Sequence, residues 1–133
     1  MRISYLLEYP SARMAGMALH MDGDEFGDLV DEVFDDLDPR VLDQLENVAF
    51  VIEDRPDDGS LGLLGLYHGV PNPARGEYGF GELPDRIVLY REPLLSRCDT
   101  TAELRRQVRI TLMHEIGHYF GLGDARLREL GWG

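Results

Sequence analysis

The chain has 133 residues, 44% hydrophobic and 29% charged, which is the composition of an ordinary soluble protein with one domain. Its formal net charge of −12 disfavours binding to nucleic acid or to an anionic membrane surface. A single cysteine rules out both an intramolecular disulfide and a cysteine-rich zinc site.

The N-terminal stretch MRISYLLEYPSARMAGMALHM shows no regular hydrophobic period. Glu8 and Pro10 interrupt its only compact apolar run, YLL, so no signal-peptide core forms, and nowhere in the chain does an apolar run approach the length of a membrane span. We therefore expect a cytoplasmic protein without membrane contact. Residues 1–21 are predicted to be a weakly ordered segment, followed by one domain over residues 22–133.

After Asp24, apolar residues recur at helical spacing until Pro39, which predicts an amphipathic helix with an acidic outer face. A short helical turn is expected next, over RVLDQLEN. Three segments rich in β-branched and aromatic residues are predicted strands: VAFVIED, LLGLYHG and RIVLYRE, the last ended by Pro93. The glycine- and proline-rich residues 69–85 between the second and third strands form a long loop, of a kind that is more often functional than structural.

The segment TTAELRRQVRITLMHEIGHYFG is predicted to be one helix of about 20 residues, or about 30 Å. Thr100 and Glu103 form a capping box at its start, and Gly121 ends it in the left-handed conformation. A short last helix, DARLREL, follows. The fold class predicted from these elements is α+β: a small mixed sheet of three or four strands packed on the long helix, with two or three other helices.

Two histidines near the end of this helix have the spacing of a metal site. His114 and His118 are four residues apart, so they lie on one face, and their imidazoles can bind one zinc ion. Glu115 lies about 100° round the helix, where it can take a proton from a water at the metal's open position. The alternative is a hydrogen-bonded pair of core histidines, which would have to satisfy a buried glutamate as well.

Asp124 is the candidate third ligand. Gly121 lets the chain reverse, so a residue three positions later can return to the metal. The same aspartate would also serve as the N-cap of the last helix, and one carboxylate can do both. Glu129 is a weaker candidate for the third ligand.

The motif H-E-x-x-H-x-x-G-x-x-D resembles that of the zincin metallopeptidases, with metzincin spacing and an aspartate in place of the third histidine. The chain is similar to the small bacterial zincin-like family called minimal zincins. The resemblance runs from about residue 22 to 131 through NVAFVIEDRP, LLGLYHGVP, LPDRIVLYREPLL and HEIGHYFGLGDARLRELG. It implies a zincin-like fold, a Zn²⁺ ion on His114, His118 and Asp124, and Glu115 as the catalytic base of a metalloprotease acting on a peptide or protein substrate.

The chain departs from the larger zincins in two ways. We expect no methionine-containing turn of the kind found beneath metzincin sites, since nine residues follow Asp124, and no second lobe that would form a deep cleft. A zinc-stabilised interaction module without turnover is therefore the alternative function. A zinc hydrolase acting on RNA is a further alternative, which the acidic composition and Glu115 disfavour. The sequence does not define the substrate or the oligomeric state.

Two further residues are weaker candidates for contact with substrate. His68 follows a strand and could steady a substrate or a developing oxyanion, although a single histidine there is more often simply exposed. Tyr78, in the long loop, could donate a hydrogen bond to an oxyanion. Tyr67 and Tyr90 fit packing roles better, and Gly117 is expected to allow a neighbouring element to pack closely.

Overall fold

Four strands and five helices make up the part of the chain that the structure describes. This computed structural model describes the backbone of residues 3–8, and residues 19–69 and 83–131 in full. The strands are β1 (Ile3–Glu8), β2 (Val48–Glu53), β3 (Leu63–Gly69) and β4 (Asp85–Tyr90). The helices are α1 (Gly23–Asp35), α2 (Pro39–Leu42), α3 (Arg91–Ser96), α4 (Thr101–Tyr119) and α5 (Asp124–Glu129).

The strands form one mixed sheet in the order β1-β3-β4-β2. β3 is antiparallel to both of its neighbours, whereas β2 and β4 run parallel, with Val48 opposite Asp85 and Glu53 opposite Tyr90. The predicted α+β class, with a small mixed sheet packed on the long helix, is thus confirmed. Within the described residues, no helix has both the length and the apolar character that crossing a bilayer requires.

Strand β1 is a correction to the sequence analysis, which gave residues 1–21 no regular element. Residues 3–8 pair antiparallel with β3, from Ile3 opposite Gly69 to Glu8 opposite Leu63. The partner strand lies about 60 positions further along the chain, so no local pattern could reveal the pairing. The rest of that segment, residues 1–2 and 9–18, lies outside the described residues, as does most of the predicted loop, residues 70–82.

The third predicted strand also ends earlier than expected, because Arg91 and Glu92 begin helix α3. Pro93 does not end a strand. It occupies the first turn of α3, where a helix has no internal partner for the backbone N–H that proline lacks. Proline is therefore compatible with this helix, and the sequence pattern placed the boundary two residues too late.

Helix α4 is the centre of the core. Its N-cap is Thr100, whose side chain accepts a hydrogen bond from the backbone N–H of Glu103 at 3.1 Å. Every residue from Thr111 to Tyr119 is buried, so the motif and the apolar residues around it lie together in the core. The sheet approaches closely at Gly65, where a Cβ atom would lie 2.6 Å from Cγ2 of Thr111. A glycine is required at this point of β3 to let the sheet reach the helix.

Candidate metal centre

His114 and His118 lie together at the end of α4, as their spacing predicts. Their Nε2 atoms are 3.1 Å apart, and the two rings are steeply inclined, at 79°. Both side chains are buried, with only 4% of His114 and 2% of His118 exposed. The two nitrogens therefore converge on one point at the end of α4.

The chain turns back immediately after the second histidine. Gly121 has φ +83°, and its N–H donates to the His118 carbonyl at 2.9 Å. The N–H of Leu122 donates to the Gly117 carbonyl at 3.0 Å. These two bonds define a Schellman motif, in which glycine is favoured because a Cβ atom opposes positive φ. The predicted left-handed cap is confirmed, and it directs the next residues back toward the histidines.

Asp124 returns to the histidine pair. Its Oδ1 lies 3.2 Å from Nε2 of His118 and 3.6 Å from Nε2 of His114. Gly123, not Asp124, is the N-cap of α5, and no side chain caps that helix. The alternative role of Asp124 as an N-cap is therefore wrong. Its carboxylate is aimed at the two imidazoles.

The three donor atoms have the dimensions of a zinc site. In tetrahedral coordination, ligand atoms at zinc distances of about 2.0–2.1 Å are separated by about 3.3–3.5 Å. The observed separations of 3.1, 3.2 and 3.6 Å form a triangle of that size, and imidazole nitrogen and carboxylate oxygen are ordinary zinc donors. The side chains present thus fit the metal that the motif implies.

Hydrogen bonds among the three side chains satisfy their donor atoms less completely than a metal ion would. Each imidazole nitrogen has one in-plane position, which holds either a proton or a lone pair. Each Nε2 atom can therefore form one in-plane hydrogen bond, with the other imidazole or with Asp124, so the contacts of 3.1, 3.2 and 3.6 Å cannot all be hydrogen bonds. A single cation satisfies all three atoms at once.

Burial lowers the pKa of the His118 imidazole, and the neighbouring His114 lowers it further, whereas Asp124 opposes the shift. The neutral ring is therefore favoured. This is the form that binds a metal ion, because a protonated nitrogen has no lone pair to donate.

Glu115 is buried completely between α4 and β3. Its Cγ lies 3.5 Å from the position that a Cβ atom on Gly65 would occupy. Neither carboxylate oxygen has a hydrogen bond of ordinary geometry from the described residues. Burial raises the pKa of this carboxyl group well above its usual value, the charge of Asp124 adds to the effect, and the backbone of Tyr67 partly offsets it. A carboxyl group whose burial is energetically unfavourable thus lies beside the three donor atoms.

The remaining predicted site residues lie elsewhere. His68 pairs with Arg86 across β3 and β4, and it points to the opposite face of β3 from Gly65 and Tyr67. It is therefore not brought to the metal cluster. Tyr78 lies outside the described residues. Glu129 is exposed and forms an ion pair with Arg126 at 3.0 Å, away from the cluster.

Two tyrosines next to the motif have anchoring roles that sequence reasoning did not find. The Tyr67 hydroxyl donates to Oδ2 of buried Asp85 at 2.7 Å. The Tyr119 hydroxyl accepts from the backbone N–H of Glu46 at 3.0 Å. The two rings meet edge to face, with centroids 6.3 Å apart. Their partners are distant in sequence, so no local signal identified them.

Gly117 has the packing role expected of it. A Cβ atom at this position would lie 2.2 Å from Cδ2 of Leu127, so the last helix packs directly on the glycine. Leu127 is fully buried.

The fold and the site together define a small α+β protein with a His-His-Asp cluster that could hold a metal ion, next to a buried glutamate. The model of the zincin-like metallopeptidases matches residues 45–132, and the chain belongs to that family. No curated protein matches the chain. The expected resemblance is therefore confirmed at the level of the family.

Proposed function

We propose that the protein is a zinc-dependent peptidase, with zinc bound by His114, His118 and Asp124 and with Glu115 as the general base. The observation that supports this is the triangle of donor atoms, 3.1 to 3.6 Å on a side, adjoining a buried carboxyl group. A metal site with a purely structural role has no need of that carboxyl group.

Bound zinc supplies a water of lowered pKa and a Lewis acid for the substrate carbonyl. Glu115 accepts the proton of the attacking water and donates it to the amine that leaves when the peptide bond breaks. Its carboxylate oxygens are suited to this transfer, because no hydrogen bond of ordinary geometry from the described residues competes for them. Burial favours proton uptake by the same group, since it disfavours the charged form.

The site is held by three elements. α4 supplies both histidines and Glu115, the turn at Gly121 and helix α5 supply Asp124, and β3 backs Glu115 through Gly65. The two histidines are thus held by the buried part of α4, whereas the position of Asp124 depends on the turn and on α5.

The decisive experiment compares wild type with Glu115→Gln and His114→Ala, measuring bound zinc and cleavage of a library of unfolded peptides. Wild type should carry one zinc ion per chain and cleave peptides. Glu115→Gln should keep the zinc and lose about a hundredfold or more of the activity, because it removes the base and leaves the donors. His114→Ala should lose the zinc.

Glu129→Gln is the matched control, since it neutralises an exposed carboxylate outside the cluster and should change neither property. Cleavage that survives Glu115→Gln would show that this residue is not the base. Zinc binding without any peptide cleavage by wild type would instead assign the metal to a structural role in an interaction module.

A further inference from the structure

Leu127 connects helix α5 to the metal centre. It is the one buried residue of this six-residue helix, and none of its surface is exposed. Its side chain lies on Gly117, where even a single Cβ atom would approach its Cδ2 to 2.2 Å. The contact therefore depends on the absence of a side chain at position 117.

The position of Gly117 gives this contact its significance. Gly117 lies three residues after His114, so the two are neighbours on the surface of α4, and Gly117 directly precedes His118 in the chain. Leu127 thus packs against the backbone of α4 next to the donor atoms. It provides apolar support directly beside the metal cluster.

Helix α5 has little else to hold it in place. A helix of six residues is unstable in water on its own, and no side chain caps its N-terminus. The Asp124 side chain is 62% exposed, so packing does not fix the carboxylate. Asp124 and Leu127 are three residues apart, which places them on the same side of α5.

We infer that Leu127 is a positioning residue that holds Asp124 against the histidine pair through its contact with Gly117. This rests on the proposed metal site. Docking of α5 and metal binding are then coupled, and the coupling is reciprocal: seating of Leu127 strengthens metal binding, and the metal strengthens docking of α5.

Zinc affinity of single and double variants tests this coupling, measured by competition with a chromophoric chelator. Leu127→Ala should weaken zinc binding about tenfold to a hundredfold, the range for residues that orient metal ligands. In the Asp124→Asn background, the same change should alter the affinity less than about threefold, because Leu127 acts through that carboxylate. Equal factors in both backgrounds, or no effect in either, would overturn the inference.

Leu130→Ala is the matched control, since Leu130 follows α5 directly but is partly exposed, and it should leave the affinity unchanged. If wild type binds no zinc, the proposed function and this inference fail together. If wild type binds zinc and Leu127→Ala binds it equally well, only the inference fails.

Gly117→Ala is a second route to the same test and does not depend on truncating a core residue. Alanine favours a helix over glycine, so local propensity alone predicts a stabilised α4. The clash with Leu127 instead predicts weaker zinc binding. The double variant Gly117→Ala, Leu127→Ala should bind zinc no more weakly than the weaker of the two single variants, because both changes disrupt the same contact. If zinc affinity in the double variant falls by the product of the two single factors, the two residues do not act through one contact.

Limited trypsin digestion measures the reciprocal effect of the metal on α5. Arg126 and Arg128 are exposed on this helix, and Arg40 on α2 is an internal reference. Zinc should slow cleavage at Arg126 and Arg128 relative to Arg40 in wild type, and this protection should be lost in Leu127→Ala. Equal protection in both proteins would show that Leu127 does not transmit metal binding to α5.

Discussion

Glu115 is the residue at which stability and the proposed activity conflict. Its carboxyl group is completely buried, and no hydrogen bond of ordinary geometry from the described residues compensates for the lost water. A buried group without a partner is destabilising, and a charged one is more so. A general base, in contrast, needs a carboxylate whose oxygens are not engaged by other hydrogen-bond donors, so that they can accept a proton from the reacting water. Glu115 therefore makes sense as a functional residue and not as a structural one.

The metal-free protein should consequently become more stable when Glu115 is replaced by glutamine. The pKa of Glu115 is raised in the folded state, so the folded protein binds this proton more tightly than the unfolded chain does. Wild type therefore loses stability as the pH rises from the ordinary glutamate pKa through the raised value, and Glu115→Gln does not. Urea unfolding in the presence of a chelator should show a stabilised variant at neutral pH.

This difference between Glu115→Gln and wild type should close as the pH falls below the ordinary glutamate pKa, where both side chains are neutral. Glu129→Gln is the control, because Glu129 is exposed and its replacement removes no buried charge. Parallel stability curves for wild type and Glu115→Gln across the pH range would refute the argument.

Asp124 offers a second test at the scale of one side chain. Because it makes no cap hydrogen bond, Asp124→Ser and Asp124→Asn should leave the stability of the metal-free protein nearly unchanged. Zinc binding should weaken in both, since the anionic oxygen is lost, and serine should weaken it more. Asp124→His should restore binding, because imidazole is also a good zinc ligand. Zinc affinity and thermal unfolding with and without metal check these outcomes.

At the scale of elements, the turn between α4 and α5 places the third donor. Gly121→Ala puts a Cβ atom at φ +83°, which should destabilise the protein by about 1 kcal/mol or more and also weaken zinc binding. Gly59 is the matched control, with φ +76° and no atom within 4 Å of an added Cβ. Gly59→Ala should lower stability similarly while leaving zinc affinity intact. If Gly121→Ala binds zinc as tightly as Gly59→Ala does, the turn at Gly121 does not contribute to zinc binding.

The sequence predicted the elements whose signals are local. Thr100 and Gly121 mark both ends of α4, and the spacing of His114 and His118 is enough to place them on one face of that helix. Features that depend on distant partners were not predictable. The contact of Leu127 with Gly117 and the pairing of β1 with β3 each join residues whose proximity no periodicity encodes. Asp124 lies near the two histidines, as expected, but it is not the cap of the last helix.

At the scale of the whole molecule, the sheet and the metal centre are connected through β3. This strand is held between β1 and β4, and its Gly65 contacts α4 one turn before Glu115, at Thr111. The donor atoms themselves all lie on α4 and α5. The strand that packs behind Glu115 therefore depends on pairing within the sheet, whereas the three candidate donors depend on the two helices. A change at the edge of the sheet should thus affect the stability of β3 without affecting zinc affinity.

Removal of residues 1–8 is such a change, because it deletes β1 and leaves one edge of β3 without a partner strand. The loss of this antiparallel ladder should lower the free energy of unfolding by about 3 kcal/mol or more, since each net hydrogen bond contributes about 1 kcal/mol. Hydrogen exchange should accelerate across Leu63–Gly69 more than across Val48–Glu53, whose pairing with β4 remains. Zinc affinity should stay within about tenfold of wild type, since all three candidate donors lie on α4 and α5 and not on the sheet. Unchanged exchange in β3 would contradict the strand pairing, and loss of zinc would show that the metal cluster depends on the sheet edge.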